Sequence, residues 1–370
     1  NEDERYIGYK EGKPYCRRCI SFKGEAAEEF EYHSRRGYLK IDYNLSDDQK
    51  RVSSAILSNY KNNINTLVYA VCGAGKTELV YGVIDFVLKK GLQVGFAIPR
   101  RDVVIELSQR LADAFKNYNV ICVYGGHTAN LEGDIICLTT HQLYRYEKYF
   151  DLLILDEVDA FPFKDNFVLE SFFERSVRGK HVLMSATPSE KLLAKYKKEG
   201  YSIVTLFKRY HGKKIPEPSI FVNLKLVNYL YLFFKFRKFI KEEKPLLVFA
   251  PTIEECENLY SVLKLFKISG NYVHSKCKDR SLRIEKFRNN EYKFLVTTAV
   301  LERGVTLKNL QVIIFNASSF IYTKEALIQI SGRVGRKKDA TDGEVIFIGC
   351  RKTKEMVQAR ETIIDANKNL

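Results

Sequence analysis

The sequence contains no run of 18 apolar residues and no visible signal peptide, so it predicts neither a membrane-spanning helix nor a secretory leader. Internal repeats and low-complexity tracts are also absent. The eight cysteines are scattered, and only Cys16 and Cys19 form a recognisable spacing. No disulfide framework is therefore expected, and a reducing compartment is favoured.

The excess of basic over acidic residues lies mainly in the last part of the chain. The 370 residues include 60 Lys and Arg against 45 Asp and Glu, a formal net charge of +15. Residues 1–205 contribute +1, residues 206–218 contribute +3 and residues 219–370 contribute +11. A Lys-rich composition would explain this excess, but its asymmetry favours a polyanion held mainly by the C-terminal part.

Apolar strand-like runs alternate with helical periodicity after residue 44, which predicts an α/β fold of parallel sheets flanked by helices. Predicted strands lie at 67–71, 94–98, 120–124, 135–139, 152–155, 182–184, 246–249, 294–297, 312–315 and 345–348. Pro216 and Pro218 interrupt a basic loop, so we place a linker at 206–218. Domains are then predicted at 44–205 and 219–370, after a polar segment at 1–43.

A glycine-rich run between a strand and a helix is typical of a phosphate-binding loop. Gly73 and Gly75 would let backbone N–H groups wrap phosphates, Lys76 would reach the β- and γ-phosphates, and Thr77 would ligate Mg²⁺. The first position of the pattern is Ala70 rather than Gly. A tight glycine turn without a ligand is the alternative.

An acidic run follows another apolar strand 80 residues after Lys76. Its first carboxylate, Asp156, would hold Mg²⁺, and its second, Glu157, would activate water. The two motifs together predict a site that hydrolyses a nucleoside triphosphate.

Further polar residues follow predicted strands, where open α/β sheets bind ligands. Loops suited to phosphates of a nucleic-acid strand contain Pro99, Arg100, Arg101, Gly126, Thr140, His141, Gln142 and Thr298. Ser185 and Thr187 follow the strand beside the acidic run and could couple hydrolysis to motion. Polar loop ends without a ligand remain the alternative for these loops.

Two arginines in the C-terminal part are candidates for an arginine finger. Arg333 and Arg336 are expected near the start of a helix and on one of its faces, from which both could approach one anion. An arginine finger neutralises charge in the transition state of phosphoryl transfer. Solvated basic residues on a surface helix are the alternative.

Taken in order across roughly residues 45–350, these motifs resemble the motif set of superfamily 2 helicases. Within that superfamily the chain most resembles the ComFA family, the ATPases of the bacterial competence DNA-uptake machinery. The stretches that carry the resemblance are 72–78, 140–143, 156–162, 301–306 and 329–336.

The resemblance implies two tandem RecA-like domains with ATP at their interface and single-stranded DNA as the stimulating polymer. It implies translocation that draws DNA into the cytoplasm, the partners ComFC and ComEC, and a cytoplasmic location or a peripheral one at the inner face of the membrane. The implied nucleotide contacts are Gln49, Gly73, Ala74, Gly75, Lys76, Thr77, Glu78, Arg303, Gln329, Arg333 and Arg336.

The family carries a four-cysteine zinc module ahead of its helicase core. Only Cys16 and Cys19 are present here, half of a tetrahedral site for Zn²⁺. Because the chain begins at Asn1 rather than Met, we expect that a second pair lies upstream. An atypical site that uses His33, or no zinc at all, are the alternatives.

Two other functions compete with DNA uptake. One is a superfamily 2 helicase of repair or replication restart, similar to PriA or RecG, although the large extra domains of those proteins are missing. The other is a nucleic-acid-binding protein without turnover, which the intact Lys76, Glu157 and Arg333 disfavour. RNA in place of DNA is also open, because backbone contacts distinguish the two mainly through the 2′-hydroxyl.

Overall fold

The structure, a computed structural model, describes residues 6–10, 13–19, 22, 24–28, 37–298, 307–336 and 339–368. These residues form two compact units. The first contains residues up to Ala70 and from Gly75 to Leu206; the second contains residues from Phe207 onward together with Val71–Ala74. The predicted linker at 206–218 therefore starts at the end of the first unit.

The N-terminal segment belongs to the first unit. Strands β1 (Ile7–Lys10) and β2 (Lys13–Cys16) form an antiparallel hairpin. Phe22 then packs edge-on against Phe172 of the core, with ring centroids 4.9 Å apart. A two-residue strand, β3 (Tyr38–Leu39), pairs with β6 (Phe115–Lys116). Phe22 and β3, within the segment at 1–43, thus contact the first unit directly.

A seven-stranded parallel sheet forms the core of the first unit, with strand order β11-β4-β10-β9-β5-β8-β7. Its strands are β4 (Thr66–Ala70), β5 (Val94–Ile98), β7 (Val120–Val123), β8 (Ile135–Thr139), β9 (Phe150–Asp156), β10 (Val177–Ser185) and β11 (Ser202–Leu206). Its helices are α1 (Asp47–Lys61), α2 (Lys76–Leu79), α3 (Tyr81–Lys89), α4 (Arg101–Ala114), α5 (Phe167–Ser176) and α6 (Glu190–Lys198). The central strands β5 and β8 are buried along their whole length, because helices cover both faces of such a sheet.

The second unit is a six-stranded parallel sheet with strand order β12-β17-β16-β13-β15-β14. Its strands are β12 (Ser219–Val222), β13 (Leu246–Phe249), β14 (Gly270–Val273), β15 (Phe294–Thr297), β16 (Gln311–Ile314) and β17 (Val345–Gly349). Its helices are α7 (Lys225–Lys241), α8 (Ile253–Lys264), α9 (Arg280–Arg288), α10 (Lys324–Ser331) and α11 (Lys354–Lys368). The two parallel sheets confirm the predicted α/β fold class.

One local prediction was wrong. Arg333 and Arg336 do not lie near the start of a helix, because α10 ends at Ser331 and both arginines belong to the turn that follows. Gly335 has a φ of +67°, and a Cβ atom there would lie 2.2 Å from the carbonyl oxygen of Thr341. Glycine therefore permits the loop that replaces the expected helix.

Within the described part of the chain, no helix combines the length and the apolar character needed to cross a membrane.

Candidate ATP site and nucleic-acid interface

The phosphate-binding loop leaves β4 after Ala70 and enters α2 at Lys76. Gly75 caps this helix with a φ of +77°, a left-handed conformation that favours glycine. A Cβ atom on Gly75 would lie 2.5 Å from the amide nitrogen of Gln49. Glycine at this position is therefore required both by the backbone and by the close approach of Gln49, and Lys76 and Thr77 are both partly exposed at the end of the loop.

Gln49 is nearly buried at the start of α1. Its side-chain oxygen accepts the N–H of Ser46 at 2.9 Å, and the Ser46 hydroxyl accepts the N–H of Gln49 at 3.3 Å, which forms a capping box. The predicted adenine contact is thus fixed in place by the helix start, with its amide nitrogen directed at the loop.

Glu78 lies in the first turn of α2 and makes contacts within the first unit. Its carboxylate forms an ion pair with Arg110 of α4 at 2.7 Å and accepts the hydroxyl of Tyr43 at 3.4 Å. Burial, together with the Glu78 charge, raises the pKa of Tyr43 to about 12. In this structure Glu78 joins α2 to α4, and its predicted nucleotide contact stays a prediction.

The acidic run begins at the last residue of β9. In the register of the sheet Asp156 pairs with Met184 of β10, and Ser185 pairs with Tyr69 of β4. The ends of β4, β10 and β9 therefore meet at one edge. The N–H of Glu157 donates to Asp156 at 2.8 Å, and Glu157 itself has a φ of +62°.

Mg²⁺ fits the oxygen donors at this edge. The Thr77 hydroxyl and the Asp156 carboxylate are hard ligands, and Mg²⁺ usually takes one or two protein oxygens and completes its shell with phosphates and water. Among the described residues no group of three or more His, Cys, Asp or Glu side chains could hold a metal by itself, so the nucleotide would have to supply the remaining ligands.

Asp159 connects the acidic run to the loop after β10. One of its oxygens accepts the Ser185 hydroxyl and the other accepts the Thr187 hydroxyl, each at 2.8 Å. The N–H of Thr187 also donates to the Ser185 hydroxyl at 3.0 Å. Our sequence reasoning did not single out Asp159 as a site residue; its position, three residues after Asp156, was the available signal.

Two of the predicted nucleic-acid loops lie side by side. The guanidinium of Arg101 lies 4.6 Å from the ring centroid of Tyr124, and Tyr124 stacks on His127 with centroids 4.9 Å apart. Gly125 and Gly126 form the exposed turn between the two rings, with open space around them. This surface offers a cation, stacked rings and bare backbone to a ligand.

The other predicted contacts of the first unit are less accessible. Pro99 is buried, and Arg100 precedes α4 in a half-buried position. Thr140 is fully buried, and Gln142 accepts the Nε–H of the buried Arg145 at 2.8 Å. His141 is half-buried and stacks on Phe22, and burial lowers the pKa of its ring.

In the second unit, Gln329 and Arg333 are almost fully buried and Arg336 is partly exposed. Thr298 is also buried, and its carbonyl accepts the Thr297 hydroxyl at 3.1 Å. Arg303 lies outside the described residues.

Among the described residues, no further zinc ligand joins Cys16 and Cys19. Cys16 and Cys19 form no disulfide and lie in one turn, where the N–H of Cys19 donates to the carbonyl of Cys16 at 3.1 Å. Burial and a hydrogen bond with the Cys16 thiol raise the pKa of Cys19. His33 lies outside the described residues, so the described chain presents half of a site.

Comparison with known proteins identifies the class. Residues 42–190 match the model of the type III restriction enzyme res subunit, and residues 226–338 match the helicase conserved C-terminal domain. The structure resembles Saccharomyces cerevisiae Dbp5 bound to RNA and ADP BeF3, with a TM-score of 0.64, 16% identity and coverage of 88% of this chain and 93% of that one. It also resembles RecG bound to a three-way DNA junction, with a TM-score of 0.63, 21% identity and coverage of 89% and 46%. The protein is a helicase-type ATPase of superfamily 2.

Two relatives show the family to which the chain belongs. Competence protein ComFA of Bacillus subtilis is 34% identical over 393 residues, which cover 99% of this chain and 84% of that protein. Competence protein ComFA of Streptococcus pneumoniae is 33% identical over 353 residues, 91% and 82% of the two proteins. The chain belongs to the ComFA family.

Proposed function

We propose that this ATPase is a single-stranded DNA translocase that hydrolyses ATP to drive DNA uptake during competence. The observation that carries the proposal is the meeting of the phosphate-binding loop, the acidic run and the Asp159 contacts at one edge of the first sheet. Family membership supports the cellular role. The PriA and RecG relatives match at 28% identity or less, which favours uptake over repair or replication restart.

Roles follow from the chemistry of each residue. Bound Mg²⁺ would neutralise phosphate charge and orient the γ-phosphate. Lys76 binds the β- and γ-phosphates, and Glu157 positions the attacking water and accepts its proton. Arg333 and Arg336 neutralise charge that develops in the transition state, while Gln329 and Arg303 complete the nucleotide contacts.

The Asp159 contacts form the coupling element. Ser185 and Thr187 follow β10, whose end lies between those of the nucleotide strands β4 and β9. A shift of the acidic run upon hydrolysis would therefore move the loop after β10 through Asp159. The surface of Arg101, Gly126 and Tyr124 contacts the phosphates and bases of the strand.

The partners and the location are proposed from membership of the family alone. ComFC and ComEC would receive or deliver the DNA at the inner face of the membrane, and Zn²⁺ would bind Cys16 and Cys19 only if further ligands were supplied from outside the described residues.

The direct test is ATP turnover measured with single-stranded DNA, duplex DNA and RNA of equal length. We expect the largest stimulation by single-stranded DNA, and Lys76→Ala should abolish turnover with all three polymers. Equal or greater stimulation by RNA would show that RNA is the preferred polymer. Turnover that is the same with and without each polymer would contradict the proposal that the protein is a nucleic-acid motor.

A further inference from the structure

A buried arginine in the linker contacts the loop that carries both candidate finger residues. Arg209 is only 2% exposed. One terminal nitrogen of its guanidinium donates to the carbonyls of Val334 and Gly335, each at 2.8 Å, and the other donates to the carbonyl of Gly332 at 3.2 Å. We call residues 332–336 the finger loop.

The next two linker residues bind the same loop. The Tyr210 hydroxyl donates to the carbonyl of Arg336 at 3.1 Å. Nε2 of His211 lies 3.0 Å from the carbonyl of Gly335, and its Nδ1 accepts the N–H of Lys213 at 3.2 Å, so the neutral ring with a proton on Nε2 satisfies both contacts. We call Arg209, Tyr210 and His211 the linker clasp.

The clasp satisfies carbonyls of the loop that follows α10, and among them only the carbonyl of the cap residue Gly332 belongs to the helix end. A cation at the end of a helix also interacts favourably with the helix dipole. Because the clasp holds the carbonyls of four of the five loop residues, it fixes the main chain from which Arg333 and Arg336 project.

Burial of the Arg209 guanidinium carries a cost. Among the described residues no carboxylate forms an ion pair with Arg209, and its Nε is buried without an acceptor. Burial lowers the pKa of its guanidinium to about 10. An unpaired buried donor and a buried charge both cost free energy, and this cost offsets part of the stabilisation from the three carbonyl contacts.

We propose that Arg209 is a positioning residue for hydrolysis, and that the linker clasp holds the finger loop in the conformation that stabilises the transition state. The inference rests on the proposed finger role of Arg333 and Arg336. It also gives the linker a direct influence on turnover, because a change in its path would move the carbonyls that it holds.

The test compares Arg209→Met and Arg209→Lys with the wild type. We expect Arg209→Met to lower the kcat of ATP hydrolysis about tenfold or more while the KM for ATP changes less than about threefold, because the loss concerns only the transition state. Arg209→Lys keeps the charge but not the forked geometry, so it should recover only part of the rate.

A double-mutant cycle with Arg333→Ala separates positioning from a general loss of structure. If Arg209 acts through the finger loop, Arg209→Met should lower kcat no more than about twofold further when Arg333 is already Ala. Asn228→Leu is the matched control, since Asn228 is a buried polar residue of the same unit that donates to the carbonyls of Asn223 and Gly349. It should lower the melting temperature and leave kcat unchanged.

Multiplicative effects of Arg209→Met and Arg333→Ala, or a kcat for Arg209→Met equal to that of Asn228→Leu, would overturn the inference. If Arg333→Ala alone leaves kcat unchanged, the assignment of Arg333 as a finger is wrong. The proposed positioning role of the linker clasp is then wrong as well. If Arg209→Met does not fold, Tyr210→Phe takes its place, because this change removes only the hydroxyl that bonds the carbonyl of Arg336. A double-mutant cycle of Tyr210→Phe with Arg336→Ala then tests the inference by the same criterion.

Discussion

Glu157 is held in a backbone conformation that few residues with a side chain adopt. Its φ of +62° costs about 1 kcal/mol or more, and such strain persists in proteins mainly at functional sites. The strained residue here is the proposed base, which immediately follows the proposed Mg²⁺ ligand Asp156. Nine other described non-glycine residues also have a positive φ, so the assignment of Glu157 rests on the motif and on its place after β9.

Glu157→Gln should bind ATP normally and hydrolyse it at least about 100-fold more slowly, because an amide cannot accept the proton of the attacking water. Binding of a fluorescent ATP analogue and steady-state turnover measure the two effects. The exposed Glu147 provides the control, and Glu147→Gln should match the wild type. Turnover of Glu157→Gln near the wild-type rate would show that Glu157 is not the base.

His181 should make the protein less stable in mild acid. Burial, with smaller contributions from Lys195 and Lys180, lowers the pKa of its ring from 6.5 to about 4, and the ring lies 2.7 Å from the Tyr196 hydroxyl. The folded state thus favours the neutral ring, so its contribution to stability is present above pH 6.5 and is lost as the pH falls toward 4. We expect the free energy of unfolding to fall by about 2 kcal/mol between pH 8 and pH 5 from this group.

Denaturant unfolding of His181→Gln at several pH values checks this expectation. The variant should lose that part of the pH dependence, whereas His127→Gln, at an exposed position, should keep it. Identical pH dependence in the wild type and His181→Gln would show that other groups cause the acid sensitivity.

Among the elements, the acidic run and the loop after β10 are joined by the two hydroxyl contacts of Asp159. Asp159→Ala should preserve most of the basal turnover but lower the stimulation by single-stranded DNA several-fold, because the loop no longer follows the acidic run. Hydrogen bonds to a charged group contribute about 1.5–3 kcal/mol each when buried, and less at this half-buried site.

Turnover with and without saturating single-stranded DNA measures this effect. Asp165→Ala is the control, since Asp165 lies in the same connection but is exposed. Unchanged stimulation in Asp159→Ala would show that the contacts are structural only.

Which strands could be predicted from the sequence depended on their place in a sheet. The central strands β5, β8 and β13 were predicted with their correct bounds, since continuous apolar runs mark strands buried on both faces. Within the two parallel sheets, the strands that we missed, β11, β12 and β14, all lie at sheet edges. Edge strands are half-exposed, so their apolar signal is interrupted.

The candidate site, too, could be predicted only where it depends on local sequence. Spacing along the chain was enough to predict the loop at Gly75 and the acidic run after β9, because both depend on local sequence. The contacts of Asp159 and Arg209 join residues far apart in the chain, so no local sequence pattern predicts them. The basic loop that contains Arg209 was interpreted only as a domain boundary.

At the scale of the whole molecule, the net charge of +11 over residues 219–370 predicts where DNA is held. Lys276 and Lys278 are exposed residues after β14, at the carboxyl edge of the second sheet. Replacing both with Gln should reduce the dependence of log K on log salt by up to about 1.4, or about 0.7 for each phosphate contact on a single strand.

Titration of fluorescent single-stranded DNA at several salt concentrations measures this slope. The matched control replaces Lys197 and Lys198, two exposed residues of α6 in the nearly neutral first unit, and should leave the slope unchanged. A greater effect in the control would place the main electrostatic contact in the first unit.

The central claim, that this ATPase moves along single-stranded DNA, is tested most directly by translocation kinetics. The protein is bound to single strands of increasing length that carry a fluorophore at one end, and ATP is added in a stopped-flow instrument together with a trap for free protein. A motor predicts a lag before the fluorescence change that lengthens in proportion to strand length and disappears in Lys76→Ala. A signal that arises without a lag, or with the same lag at every length, would show that ATP hydrolysis by this protein is not coupled to movement along DNA.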